Sequence, residues 1–161
     1  MEYVVHEIPP VWNRESEVLI LGSFPSVKSR EGHFFYNHPQ NRFWKVLAAV
    51  LECQVPGTIE EKRQMLLEHH IAVWDVIASC TIQGSSDSSI RDVVPNRLEV
   101  ILEHAPVKQI FANGATAWRF YEKYTKPLTG REAVKLPSTS PANAAWNLER
   151  LVGEWQKIKQ N

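Results

Sequence analysis

Four short apolar runs, at residues 17–22, 71–76, 107–112 and 132–136, limit what this chain can fold into more than any other feature. Each is brief, carries aliphatic side chains and ends near a turn signal, which is the mark of a strand. Between them lie segments with apolar residues at helical spacing. Asn41 to Glu52 carries Phe43, Trp44, Leu47, Val50 and Leu51. A segment from Thr58 to about His70 opens with a capping box, Thr58 as N-cap and Glu61 three residues on. Asn96 to His104 carries Leu98, Val100 and Ile101, and Ala115 to about Tyr124 carries Trp118, Phe120 and Tyr121. A last helix is predicted from Ser140-Pro141 to the C-terminus, with a serine cap and proline at the first helical position. Strands alternating with helices give a parallel sheet covered on both faces. The expectation is therefore one domain over residues 1–161: a three-layer α/β/α sandwich around a central four-stranded parallel sheet. Residues 1–16 read as an extended lead-in, and Ala78 to Asp92, with Gly84 to Ser89 inside it, as a long polar loop.

Composition narrows the function classes. The 161 residues are 43% apolar and 22% charged, ordinary for a globular protein. No apolar run is long enough for a transmembrane helix, and no secretory signal opens the chain, so no membrane partner is expected. Cys53 and Cys80 are far apart and form no CxxC pair, which points to a reducing, cytoplasmic compartment and away from a four-cysteine cluster. His69-His70 reads as a helix end rather than a metal site. The net charge is zero, yet it is unevenly spread: residues 1–105 hold 9 basic and 14 acidic side chains, residues 106–161 hold 9 and 4. A locally positive face is compatible with that spread.

In a parallel sheet the carboxyl ends of the strands meet along one edge, where ligands bind. Here that edge gathers Gly22 to Ser26, Asp75 to Ser79, Asn113-Gly114 and Pro137 to Ser140. After Gly22 the chain is dense in aromatic and amide groups: Phe34, Phe35, Tyr36, Asn37, His38, Gln40 and Asn41. Flat rings for stacking and amides for edges suit a planar heterocycle, although three adjacent aromatics also seal a core. Ser138, Thr139 and Ser140 before Pro141, and Ser23 and Ser26 across the edge, offer hydroxyls and backbone N–H groups to phosphates; both turns also serve as simple caps. Asn113 stands where an amide reads a base edge, or where a turn precedes Gly114. Asp75 is either a catalytic base or a loop-fixing acceptor. There is no GxGxxG and no GxxxxGK[ST], so hydride transfer and ATP hydrolysis have no support.

Three pieces together, Gly22-Ser23-Phe24-Pro25-Ser26, His38-Pro39-Gln40-Asn41-Arg42-Phe43-Trp44-Lys45-Val46 and Leu136-Pro137-Ser138-Thr139-Ser140-Pro141, resemble the uracil-DNA glycosylase superfamily. The second piece is similar to the mismatch-specific uracil/thymine branch. The third, with Val73 to Cys80, is similar to the hypoxanthine-DNA (deoxyinosine) branch.

The resemblance implies a monofunctional glycosylase that flips a deaminated base out of DNA and hydrolyses its N-glycosidic bond, with no cofactor and no metal. Hypoxanthine is the expected base and uracil a further one. The alternatives are a uracil or mismatch glycosylase, or a non-catalytic nucleic-acid or nucleotide binder of the same fold. Residue by residue, Phe24 takes the place of the water-orienting asparagine of the mismatch-specific branch, and the resemblance to the hypoxanthine branch, which shares that departure, implies Asn41 as the catalytic amide. Asn113 contacts the flipped base, Tyr36 or else Phe35 stacks on it, and Phe24 lies beside it. Ser23, Ser26, Ser138, Thr139, Ser140 and, more weakly, Asn143 are the expected phosphate contacts. Lys45 falls on the following helix, so hydrolysis rather than Schiff-base chemistry is expected. DNA carrying a deaminated base is the implied partner, and a monomer suffices.

Overall fold

A computed structural model of the chain describes residues 1–159. Strand β1 (Glu2–Val5) comes first, then β2 (Val18–Gly22), helix α1 (Val27–Gly32), α2 (Phe43–Leu51) and α3 (Ile59–Glu68). Next are β3 (Ile71–Asp75), β4 (Ile77–Ile82), β5 (Arg91–Pro95) and the short α4 (Glu99–Leu102). They are followed by β6 (Gln109–Asn113), α5 (Ala115–Phe120), α6 (Lys126–Thr129), β7 (Ala133–Leu136) and α7 (Leu148–Trp155).

The central sheet has four parallel strands in the order β3-β2-β6-β7. All five residues of β2 are buried, because helices or a second sheet cover both of its faces; hence the unbroken aliphatic run. Val18 and Ile20 enter one core with Phe43, Leu47, Leu66, Leu151 and Trp155, beneath α2, α3 and α7. Leu19 and Leu21 enter the other with Ile77, Leu98, Ile101, Ile110 and Tyr121. No helix among the described residues is long and apolar enough to cross a membrane.

Five expectations are corrected. The lead-in and the long polar loop are not structureless: β1, β4 and β5 make a second, antiparallel sheet with β4 in the middle. Tyr3, Val5 and Val94 of this sheet are exposed, so its strands lack the apolar signal of buried ones, while Gly84 to Ser89 dominated the reading of the loop. Val11 also pairs with Val73 across the β3 edge, through N–H to O contacts of 3.0 and 2.9 Å.

The last helix does not begin at Pro141. Residues 140–146 form successive turns, and Asn147 caps α7 by accepting the Arg150 N–H at 2.8 Å. The carbonyls of Thr139, Ser140, Asn143 and Trp146 bond to the Arg42 guanidinium, and those of Ser140 and Asn143 also accept the Asn143 and Trp146 N–H groups three residues on, so turns form in place of a helix. The end of the predicted helix at residues 160–161 lies outside the described residues.

The third and fourth helices also differ in extent. Regular α-helix in the third covers only Glu99–Leu102, with turns on either side. The fourth continues past Tyr124: α5 widens into a π turn over Tyr121–Thr125 and proceeds as α6, where Pro127 has no N–H to offer the preceding turn. The capping box forms as expected, with Thr58 Oγ1 accepting the Glu61 N–H and Glu61 accepting the Thr58 N–H, both at 3.1 Å.

Candidate active site

Register places the strand ends side by side: Gly22 pairs with Asp75, and Asn113 with Leu136. The loop leaving β2 folds on its own side chains. Ser26 caps α1 by accepting the Ser29 N–H at 3.2 Å, and the buried Ser29 hydroxyl accepts the Asn37 N–H at 3.0 Å. Phe34 and Phe35 drop into the core. Tyr36, left-handed at φ 52°, stacks on Phe43 with ring centroids 3.9 Å apart, and its carbonyl accepts the Trp44 Nε1–H at 3.2 Å. Aromatic packing of this kind, worth about 0.5–1.5 kcal/mol, holds an uncommon backbone conformation.

The loop leaving β7 meets it through one continuous hydrogen-bond chain. Asn113 Nδ2 donates to Thr139 Oγ1 at 3.0 Å, and Thr139 Oγ1 donates to Asn41 Oδ1 at 2.9 Å. Asn113 Oδ1 accepts the Thr139 N–H at 3.1 Å, and Asn41 Oδ1 also accepts the Phe43 N–H at 2.9 Å. The Asn41 carbonyl is thus fully engaged, and its NH₂ group is what it offers outward. Arg42, next in sequence, binds the backbone of residues 139–146 through its side chain, and its own N–H donates to Thr139 O at 3.1 Å. No carboxylate pairs with Arg42 among the described residues, so a full positive charge sits under this loop.

These parts enclose a cavity of about 340 Å³ lined by Ser23, Ser26, Phe35, Tyr36, Asn41, Asn113, Ser138, Thr139 and Ser140, with Asp75 and Asp87. A larger one of about 600 Å³ adjoins it and shares Asp87, Asn113, Ser138, Ser140 and Ala142. Asn143 belongs to that neighbour, where its Nδ2 donates to Ser138 O at 3.0 Å. Phe24 lines neither. It is 8% exposed, within the second core and edge-on to His6, so its expected place beside the base is corrected to a supporting one. Thr139 is wholly buried, and its hydroxyl positions two asparagines rather than meeting a phosphate. Lys45 is exposed on α2 and lines neither cavity.

The sequence reading missed Asp87 and the role of Arg42, and left Asp75 open. Asp75 was legible only as one of two options; in the structure its Oδ2 accepts from His6 Nε2 at 2.8 Å, and nothing in the sequence pairs residues so far apart. Asp87, at the rim, accepts from the Ser23 hydroxyl at 3.3 Å. Asp87 is solvent-exposed, and partial desolvation of its carboxyl by the surrounding loops raises its pKa; the negative charge of Asp75 adds to that, against the Ser23 hydrogen bond. Arg42 lay within a recognised motif, but its carbonyl partners are about 100 residues away in sequence. Cys53 and Cys80 are free thiols, and no cluster of three or more His, Cys, Asp or Glu suited to a metal occurs among the described residues.

The sequence model described as the uracil DNA glycosylase superfamily matches residues 9–159. This chain belongs to that superfamily. Among its relatives, a protein of Methanosarcina acetivorans named hypoxanthine DNA glycosylase is 33% identical over 152 residues, covering 93% of this chain and 94% of the relative. One of the same name from Methanosarcina barkeri is 32% identical over 137 residues, covering 84% and 85%. A solution NMR structure from Methanosarcina acetivorans, provisionally named a uracil DNA glycosylase, superposes with a TM-score of 0.80 at 32% identity and covers 94% of this chain and 93% of that one. The superfamily's four-stranded parallel sheet is the sheet described above.

Proposed function

We propose that this chain is a monofunctional DNA glycosylase that extrudes a deaminated base, hypoxanthine foremost, and hydrolyses its N-glycosidic bond in base excision repair. The observation that carries this reading is the Asn41–Thr139–Asn113 chain, which ties two distant sequence motifs together on the wall of one base-sized cavity. The names of the two Methanosarcina relatives support hypoxanthine as the base.

In the reaction, water adds its oxygen to C1′ while the C1′–N bond breaks. The bonding pair leaves with the base, which takes up a proton, and the water that adds to C1′ gives one up to solvent. Positive charge builds on the sugar, so electrostatic stabilisation and placement matter more than a strong base. Asn41, with its carbonyl held by Phe43 N–H and Thr139 Oγ–H, acts through its NH₂ group. That group donates to the water oxygen and leaves the water's other lone pair free for C1′. Asn113, held at both ends by Thr139, faces the base. Ser138 and Ser140, whose hydroxyls accept only the local N–H groups of Ser140 and Ala142, keep their O–H donors for phosphates. Ser23 and Ser26 already donate within the protein and make the weaker phosphate contacts. With no lysine lining the smaller cavity, hydrolysis without strand cleavage is the chemistry proposed.

The test is excision from labelled duplexes carrying inosine, uracil, xanthine or a thymine mismatch, each followed by alkaline cleavage of abasic sites. Breaks dominated by the inosine duplex are expected. Breaks dominated by uracil would keep the mechanism and move the specificity. No product from any duplex, with DNA still bound, would overturn the reading in favour of a non-catalytic binder.

A further inference from the structure

Two polar atoms at the inner end of the cavity have no part in the hydrolysis above: Asp75 Oδ1 and the Tyr36 hydroxyl. The Asp75 side chain is 5% exposed and that of His6 is 1% exposed. The His6 ring lies between Phe24 and Phe35, with centroids 6.0 and 6.1 Å away, and its Nδ1 accepts the Ile8 N–H at 3.2 Å. That assigns the ring proton to Nε2, so His6 donates to Asp75 Oδ2 at 2.8 Å. Behind it, Asn96 Nδ2 donates to the Asp75 carbonyl at 2.9 Å. His6 therefore holds one carboxylate oxygen and Asn96 the residue's backbone, and the other carboxylate oxygen lies over Gly22.

Gly22 has no room for a side chain: a Cβ there would overlap Asp75 Oδ1 and come within 3.0 Å of the Tyr36 hydroxyl. The Tyr36 hydroxyl is buried and has no hydrogen-bond partner among the described residues. Burial and then the negative charge of Asp75 hold its pKa far above the ordinary range, against the Asn113 side chain, which acts on the oxygen only as a donor; the hydroxyl keeps its proton, and that proton has no acceptor. A buried donor without a partner is costly, and a ligand's acceptor would relieve that cost. A fixed acceptor and an idle donor thus flank one glycine.

We propose that Asp75 Oδ1 and the Tyr36 hydroxyl together read the Watson–Crick edge of the extruded base, the first accepting its ring N–H and the second donating to the adjacent carbonyl, with His6 as the residue that positions Asp75. The proposal rests on the glycosylase reading and extends it to what the site selects. An extruded nucleotide stays tethered at the mouth, where the Ser138 to Ser140 loop lies, so the edge opposite the glycosidic bond reaches deepest. Hypoxanthine presents N1–H beside a C6 carbonyl, and uracil and xanthine present the same pair. Adenine presents the reverse, a ring lone pair facing the carboxylate and an amine facing the hydroxyl. A site that hydrogen-bonds its ligand in this way rejects the mismatched pattern because buried groups are left unpaired. The pair does not separate guanine, which shares it, so the guanine amine is excluded by other contacts.

Excision is compared on duplexes carrying inosine or 2′-deoxynebularine, the purine that lacks the 6-oxo group. In Asp75→Asn, His6 Nε2–H holds the amide oxygen and turns the NH₂ toward the cavity; inosine excision falls about a hundredfold or more. Tyr36→Phe keeps the ring that stacks on Phe43 and loses about tenfold on inosine, the scale of one neutral hydrogen bond, with no loss on deoxynebularine. His6→Gln keeps a donor and retains most inosine excision, whereas His6→Ala does not. Wild-type rates in Asp75→Asn, or equal losses on both duplexes in Tyr36→Phe, would overturn the pair's role. Should Asp75→Asn fail to fold, Tyr36→Phe decides alone. A wild-type chain inactive on every duplex would overturn the glycosylase reading and this one with it; an active wild type with an indifferent Asp75→Asn overturns the pair alone.

Discussion

The two loops that wall the cavity are held in opposite ways. The loop after β2 carries its own supports: a serine cap on α1, the buried Ser29 hydroxyl, and Phe34 and Phe35 sunk in the core. From Ser138 to Trp146 the loop after β7 places no large apolar side chain in a core; Trp146, only partly buried, packs on its edge. It is held from outside, by the Arg42 guanidinium on its carbonyls and by Asn113 and Asn41 around Thr139. A wall of the second kind presents free hydroxyls and backbone to a ligand, yet its shape depends on a few polar side chains from another motif. That dependence explains why the two motifs occur together in one chain.

The contrast breaks most visibly at Arg42. Arg42→Lys cannot reproduce a planar fork on several carbonyls, and each carbonyl left unpaired costs about 1–3 kcal/mol. Circular dichroism melts are expected to show clear destabilisation, and single-turnover excision is expected to fall about a hundredfold. Near-wild-type excision in a folded Arg42→Lys would mean that the second loop holds itself. Thr139→Val, which keeps shape and removes the hydroxyl, uncouples Asn113 from Asn41. Excision is then expected to fall about tenfold, a single hydrogen bond's worth. An unchanged rate would show that the two asparagines act independently.

Ser26→Ala removes the α1 cap from the self-supporting loop and is expected to cost about 1 kcal/mol of stability. Excision at saturating enzyme should change little. A large loss of DNA affinity without loss of stability would instead make Ser26 a main phosphate contact rather than a weak one. The smallest effect is at Asp87. Its carboxyl has a raised pKa in the folded chain, so the folded state holds that proton to higher pH than the unfolded state. Stability therefore declines as pH rises from the unfolded value through the folded one, and the full cost is present at neutral pH. Asp87→Asn is expected to raise the melting temperature slightly at pH 7 and to leave it unchanged near pH 3, where both carboxyls are protonated. A gain that persists at pH 3 would point to packing rather than charge.

The parallel sheet was legible because burial on both faces forces aliphatic runs, as in Val18 to Gly22. The site motifs were legible because they are continuous in sequence. The antiparallel sheet was not: β1 exposes Tyr3 and Val5, and its partner β4 follows β3 after Val76 alone, so the pattern reads as one strand and a loop. His6 was lost with it, since only that sheet brings residue 6 to Asp75. The Ser140-Pro141 signal was locally sound, but Arg42 binds the carbonyls of residues 139–146, and the chain there settles into turns rather than a helix.

The most direct test of catalysis in this cavity is Asn41→Ala, measured for inosine excision under single-turnover conditions and for affinity to the same duplex. Losing the one amide that offers its NH₂ to the attacking water is expected to lower excision by about 10²–10³, with DNA affinity largely kept. Excision at the wild-type rate, with affinity intact, would contradict the assignment and leave the Asn41–Thr139–Asn113 chain a structural brace.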